Sequence, residues 1–387
     1  MGKYIVGVLA ILLTCIYSAC YMLFLNIPCM SAISEKTIIG ERTVEANLGE
    51  NETNRLYSDR ETALLNFIKK RMMGNEGQIY TKIKQGEACG EVLSESVGLL
   101  MEYCIEKNNR VLFDKEFDFL REKLLDDKNL IRWKAANKEV NCNAAIDDFR
   151  IVRALLDAYD IWGDKVYLDT AGFIQESIFK KQVEGEWLFE FYDWKLGKSN
   201  KTIPLCYLDL YTLGRLREFN KDWSRVADFG ERIISEGKPD SEIPIYYKYY
   251  DYETKRYFLD EEYVKSKAVC LTYTLYTVMH MSEINGDTEM FTNWLKKEMG
   301  TGRLYAWYDP QTGTPANDIE STAVYALAAV YAKKTGEGEL YHRLIDRMMA
   351  FRVNDKKSPD YGGFGNEDTG ECYSFDNLTA LWALALE

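Results

Sequence analysis

Histidine is nearly missing from this chain: there are two in 387 residues, His280 and His342. Both fall inside runs of helical periodicity, which argues against a histidine-built metal site and against a Ser-His-Asp triad, so no metal and no cofactor is expected. A basic surplus is missing as well. Asp and Glu number 61 against 48 Lys and Arg, a formal charge of −13, and no basic stripe interleaves with aromatics, so no nucleic acid partner is expected. There is no Cys-x-x-Cys pair. Six widely spaced cysteines beyond the N-terminal region, Cys89, Cys104, Cys142, Cys206, Cys270 and Cys372, read as isolated small core residues rather than as staples.

What the chain does have is a repeat. An apolar run with helical spacing, a polar turn on Asn or Gly, and a second amphipathic run recur at intervals of roughly 55 residues. Complete copies begin at Ser96, Ile151, Leu208, Leu271 and Ala323. In each, the first run is apolar on most faces and the second on one stripe, which predicts a buried inner helix and a solvent-facing outer one. A sixth copy stops after its inner helix, at Asp376 onward, while an unpaired amphipathic segment from Asp59 precedes the first copy. The two halves make one hairpin. The expected fold is therefore all-α, an (α/α)6 barrel of six helical hairpins, over residues 58–387.

Ahead of it, Lys3 is followed by an uncharged run from Tyr4 to Ser34, of which Tyr4 to Ile27 has the length to cross about 30 Å of hydrocarbon as a helix. A membrane helix is expected within 1–34, as a signal anchor with the body extracellular, and a flexible tether over 35–57. Tyr17-Ser-Ala-Cys20 leaves lipoprotein processing open, as it leaves secretion.

In such a ring the lead-in loops of the inner helices meet over one mouth. Acids recur there: Glu95, Asp147, Asp148, Asp209, Asp318, Glu320 and Asp376. Helix capping accounts for part of this set, Asp318 and Asp376 among them. The remainder places several carboxylates at a cavity mouth, where their pKa values can be driven apart into an acid and a base suited to glycosidic hydrolysis. Aromatics crowd the same segments, among them Tyr80, Trp133, Tyr246, Tyr249 and Tyr373, and flat rings pack well on sugar faces.

Particular strings resemble glycoside hydrolase family 8. Leu93-Ser-Glu-Ser-Val-Gly-Leu-Leu100 resembles the family's Ser-Glu-Gly-type motif, with Glu95 at the position of the general acid. Ala144-Ala-Ile-Asp-Asp-Phe-Arg-Ile151 resembles its Ala-Thr-Asp-x-Asp-x-Asp stretch, Asp148 matching the middle aspartate while Ile146 and Arg150 replace the outer two. Leu130-Ile-Arg-Trp133 is similar to a sugar-binding loop of the family. The variants look most like divergent, membrane-attached members associated with bacterial exopolysaccharide production.

The resemblance implies an inverting, endo-acting glycosidase on a β-linked exopolysaccharide. Glu95 would be the acid and Asp148 would hold the sugar, with Asp147, Trp133, Tyr80, Tyr207 and Tyr373 also binding substrate. The base would come from the segment before the fourth inner helix, where Asp251 is favoured over Asp260. Expected partners are the polysaccharide, the membrane through the N-terminal helix, and, as a candidate, exopolysaccharide synthase machinery. Two other readings stand beside this one: a catalytically degenerate polysaccharide-binding scaffold, and an (α/α)6 polysaccharide lyase.

Overall fold

The computed structural model describes residues 50–387 apart from 85, 136–139, 240–241, 260–266 and 366–368. Twelve α-helices lie among the described residues: α1 (Glu50–Phe67), α2 (Ser94–Glu106), α3 (Arg110–Phe119), α4 (Ala145–Trp162), α5 (Lys165–Gln182), α6 (Leu210–Leu216), α7 (Trp223–Ser235), α8 (Leu271–Glu283), α9 (Glu289–Gly300), α10 (Thr322–Lys334), α11 (Gly338–Met349) and α12 (Ser374–Ala385).

The even-numbered helices form the inner ring. Each touches the next, and α12 returns to α2. Their composition explains the position: Thr322 to Ala332 of α10 are all buried, so no face of that helix is left for water. On outer α7, by contrast, burial is confined to the stripe Trp223, Val226, Phe229, Gly230, Ile233 and Ile234. The turns inside the hairpins use residues that tolerate left-handed backbone, Asn108 (φ 50°), Gly163 (φ 70°), Asn285 (φ 59°) and Gly336 (φ 78°). The unpaired first helix does complete the last hairpin. α1 packs on α12, Tyr57 of α1 bonds His342 Nδ1 of α11 at 3.1 Å, and Tyr103 of α2 donates to Glu61 of α1 at 2.7 Å.

The aromatic lead-ins contain short antiparallel strands that the helical periodicity did not reveal. β1 (Tyr80–Lys84), β2 (Glu87–Val92) and β8 (Cys372–Tyr373) form one sheet in the order β8-β1-β2; β3 (Thr202–Pro204), β4 (Tyr249–Asp251) and β5 (Arg256–Phe258) form a second; β6 (Val269–Cys270) pairs with β7 (Trp307–Tyr308). β2, β6 and β8 run almost directly into α2, α8 and α12, so pairing at the mouth fixes where those inner helices begin.

One expectation is corrected here. No helix among the described residues is long and apolar enough to cross a membrane, so the N-terminal membrane helix, and with it the membrane as a partner through that helix, is withdrawn. The segment on which it was placed, 1–34, lies outside the described residues, as does most of the tether. Among the described residues none of these six cysteines enters a disulfide; five of them are buried and Cys89 is half-buried.

Candidate active site

Inner-helix starts converge on one open pocket. Glu95 and Asp147 stand in the first turns of α2 and α4 and line it, with Tyr276 of α8 and Phe375 of α12. Trp133, Tyr207 and Tyr249 complete the part of the wall that the sequence pointed to.

Glu95 is half-buried. Its peptide N–H donates to the Asp147 carboxylate, which also accepts Ser94 Oγ at 2.7 Å and Arg150 Nη1 at 3.1 Å. Burial raises the Asp147 pKa, and Arg150 with these hydrogen bonds opposes the rise. Tyr207 stands among the acids: burial pushes its hydroxyl well up, and Glu190, Asp147 and Glu95 add to the shift.

Asp148 is elsewhere. Fully buried, it accepts from the Asn143 amide, and its Oδ1 has no hydrogen-bond partner among the described residues. Burial raises its pKa well above the usual carboxylate value, the Asn143 hydrogen bond opposing the rise and the neighbouring Asp147 adding to it. Asn143 in turn bonds Gln182 Oε1 at 2.6 Å and accepts the Tyr192 N–H at 2.7 Å. Asp148 thus braces the segment around Glu190 and does not line the pocket. Neighbouring positions on a helix point about 100° apart, so only one of two adjacent aspartates faces the cavity.

Asp251 ends β4, and its Oδ1 accepts the N–H groups of Glu253 (2.9 Å) and Thr254 (2.8 Å), closing a turn. It is not part of the pocket wall, although Tyr249 on the same strand is. Asp260 lies outside the described residues. Tyr80 and Tyr373 belong to the β8-β1-β2 sheet and also stand outside the wall, the Tyr373 hydroxyl donating to Glu371 at 3.1 Å.

Sequence reasoning missed three charged residues of the wall: Arg150, Glu190 and Lys248. Glu190 is buried and accepts Asn200 Nδ2 at 2.7 Å. Its one signal in the sequence was an acid inside the aromatic run Trp187 to Trp194.

Below the pocket, a second chamber shares Ile146, Arg150, Tyr207 and Tyr276 with it and reaches Glu102, Asp209, His280, Glu283 and Trp382. Asp209, His280 and Glu283 bring ligand atoms within 4.8 Å of one another. Arg153 already supplies the positive charge there, with Nη1 at 2.8 Å from Glu283 and 3.8 Å from Asp209, so the cluster reads as an ion-pair network rather than a metal centre.

The sequence profile of glycosyl hydrolases family 8 matches residues 56–240. The protein named "Putative lipoprotein YdaJ" in Bacillus subtilis (strain 168) is 30% identical over 321 residues, covering 82% of this chain and 84% of its own. A solved structure described as a novel alpha-amylase from Clostridium perfringens is 34% identical with a TM-score of 0.78, covering 84% of this chain and 97% of that one. PssZ from Listeria monocytogenes, 23% identical with a TM-score of 0.68 over 84% of this chain and 94% of its own, shares the fold. With its barrel closed by its own first helix and its carboxylates gathered at one mouth, the chain belongs to glycosyl hydrolases family 8 and is an inverting glycosidase.

Proposed function

We propose that the chain cleaves an extracellular polysaccharide by a single displacement at the Glu95 pocket. The observation that carries this reading is the setting of Glu95: half-buried in the first turn of an inner helix, on a wall that also holds Asp147, Glu190 and Tyr207. Glu95 gives its proton to the leaving glycosidic oxygen as the C–O bond breaks. A second carboxylate takes a proton from water, whose oxygen adds to the anomeric carbon from the opposite face and inverts it.

Asp251 is the proposed base. Tyr249 and Asp251 are two apart on β4 and share a strand face, and their cross-strand partners are Pro204 and Thr202. Tyr249 and Pro204 line the pocket, so Asp251 sits on the pocket-facing side, roughly 7 Å further along the strand. Asp147 is the proposed sugar-holding residue in place of Asp148, because it is the aspartate on the wall.

The 34% identity to the Clostridium perfringens alpha-amylase supports an α-linked substrate over the β-linked one expected from sequence. The lipoprotein relative supports attachment to the cell surface through a lipid on Cys20. The test is reducing-end release by the chain and its Glu95→Gln variant on α-glucans, β-glucans, chitosan, xylan and exopolysaccharide from the source organism, with product anomers followed by NMR. Glu95-dependent cleavage with inversion is expected. Turnover surviving in Glu95→Gln would remove that residue from the acid role, and binding without cleavage of any polymer would favour the scaffold reading.

A further inference from the structure

We infer that Arg150 is a positioning residue for the acid: it pins Asp147 from inside the barrel and through it fixes the turn that presents Glu95. This rests on the reading of Glu95 given above. Arg150 stands where the family motif has an aspartate, so a residue of opposite charge has entered the floor of the site, and the structure shows what it does there.

The Asp147 carboxylate has three partners. Two are consecutive residues at the start of α2, Ser94 through its hydroxyl (2.7 Å) and Glu95 through its N–H. The third is Arg150 Nη1 at 3.1 Å. On its other edge, Arg150 Nε lies 3.6 Å from Glu102 Oε2. Glu95 and Glu102 are seven residues apart on α2, two turns on one face of the same helix. One guanidinium thus connects the first turn of the acid-bearing helix with its middle.

The helix is built to let it do so. A Cβ on Gly98, between those two glutamates, would lie 2.9 Å from Arg150 Cδ, so the arginine stem rests against the backbone of α2 where only glycine leaves room. From the opposite side the Tyr276 ring stands 5.4 Å from Cζ. With 6% of its surface exposed, Arg150 needs both carboxylates to be tolerated, and a planar fork can serve two of them where an ammonium serves one at a time.

A residue that only neutralised buried charge would, on replacement, lower stability and leave turnover per folded molecule unchanged. A positioning residue lowers kcat. In Arg150→Met, kcat on a polymer cleaved by the parent chain should fall by about 10²-fold, the scale of a misplaced catalytic group, beyond any rise in KM from the displaced Asp147. Arg150→Lys, which keeps the charge and protects folding, should recover part of that loss. Full kcat in the folded Met variant would overturn the inference.

Crystal structures of both variants supply a readout that needs no activity. The Asp147 carboxylate should turn away from Ser94 Oγ and the Glu95 N–H in Arg150→Met, and in Arg150→Lys should keep them only when the ammonium reaches it. An unchanged turn in the Met variant, or in the Lys variant with its ammonium swung away should the Met variant not fold, would overturn the inference. If the parent chain cleaves no polymer, the hydrolytic reading fails while these structures still decide the role of Arg150.

Discussion

Asp376, in the first turn of α12, accepts the backbone N–H of Ala323 on α10 at 3.0 Å. The start of α10 has no side-chain cap of its own, Ser321 making no such bond. The cap is therefore lent by the adjacent inner helix, and one carboxylate both satisfies an orphan donor and joins two members of the ring. Asp376→Ala should cost about 1 kcal/mol, read as a lower denaturation midpoint, while Asp376→Asn should keep most of the stability. A midpoint unmoved by the alanine would mean that solvent replaces the cap.

Glu116 is fully buried, and neither carboxylate oxygen has a hydrogen-bond partner among the described residues. Burial drives its pKa well above the usual carboxylate value, so the folded chain holds a proton that the unfolded chain releases near pH 4.3. Its protonated form supports the fold fully below that pH, and the support is lost as pH rises towards the folded pKa. Glu116→Met should accordingly raise stability at pH 7 by about 1–3 kcal/mol and flatten the decline that sets in above the unfolded pKa. Chemical denaturation at several pH values checks both; an unchanged slope would place the proton elsewhere.

Gly98→Ala forces the Arg150 stem off α2. Overpacking of this kind costs about 1–3 kcal/mol, and thermal melting should register it. Gly300, at the end of an outer helix with no atom near its Cβ position, is the control, where alanine should change little.

Asp251→Asn should lower kcat by about 10²–10⁴-fold, the range of a lost general base, and added azide should restore turnover as a glycosyl azide of inverted configuration. Glu190→Gln, altering the other acid near that rim, should retain a base and respond weakly to azide. The reverse pattern would move the base from Asp251 to Glu190.

The helices were legible because burial writes a 3.6-residue period into the chain, and closure was legible because two half-hairpins were left over at opposite ends. The site was less so. A motif fixes that an aspartate pair opens α4, but which of Asp147 and Asp148 faces the cavity depends on helix phase relative to the barrel axis, which needs the packed ring. Glu190 and Lys248 come from irregular lead-ins without a period to betray their direction. Arg150 read as the loss of an aspartate, and only the approach to Gly98 and Glu102 turns that loss into a contact. The membrane helix rested on hydropathy over 1–34, which lies outside the described residues, and no described helix supports it.

Tyr57 and His342 meet across 285 positions of sequence, in the join where α1 becomes the outer partner of α12. A ribosome must deliver Ser374–Ala385 before that join can exist. Until then α2 and α10 each offer a bare flank, and the nascent barrel is an open arc whose longest-range contacts come last. Closure of the ring thereby waits on the synthesis of this last inner helix. The same adjacency makes α1 and α12 natural points to splice, with new ends opened at a solvent-facing hairpin turn such as Gly163.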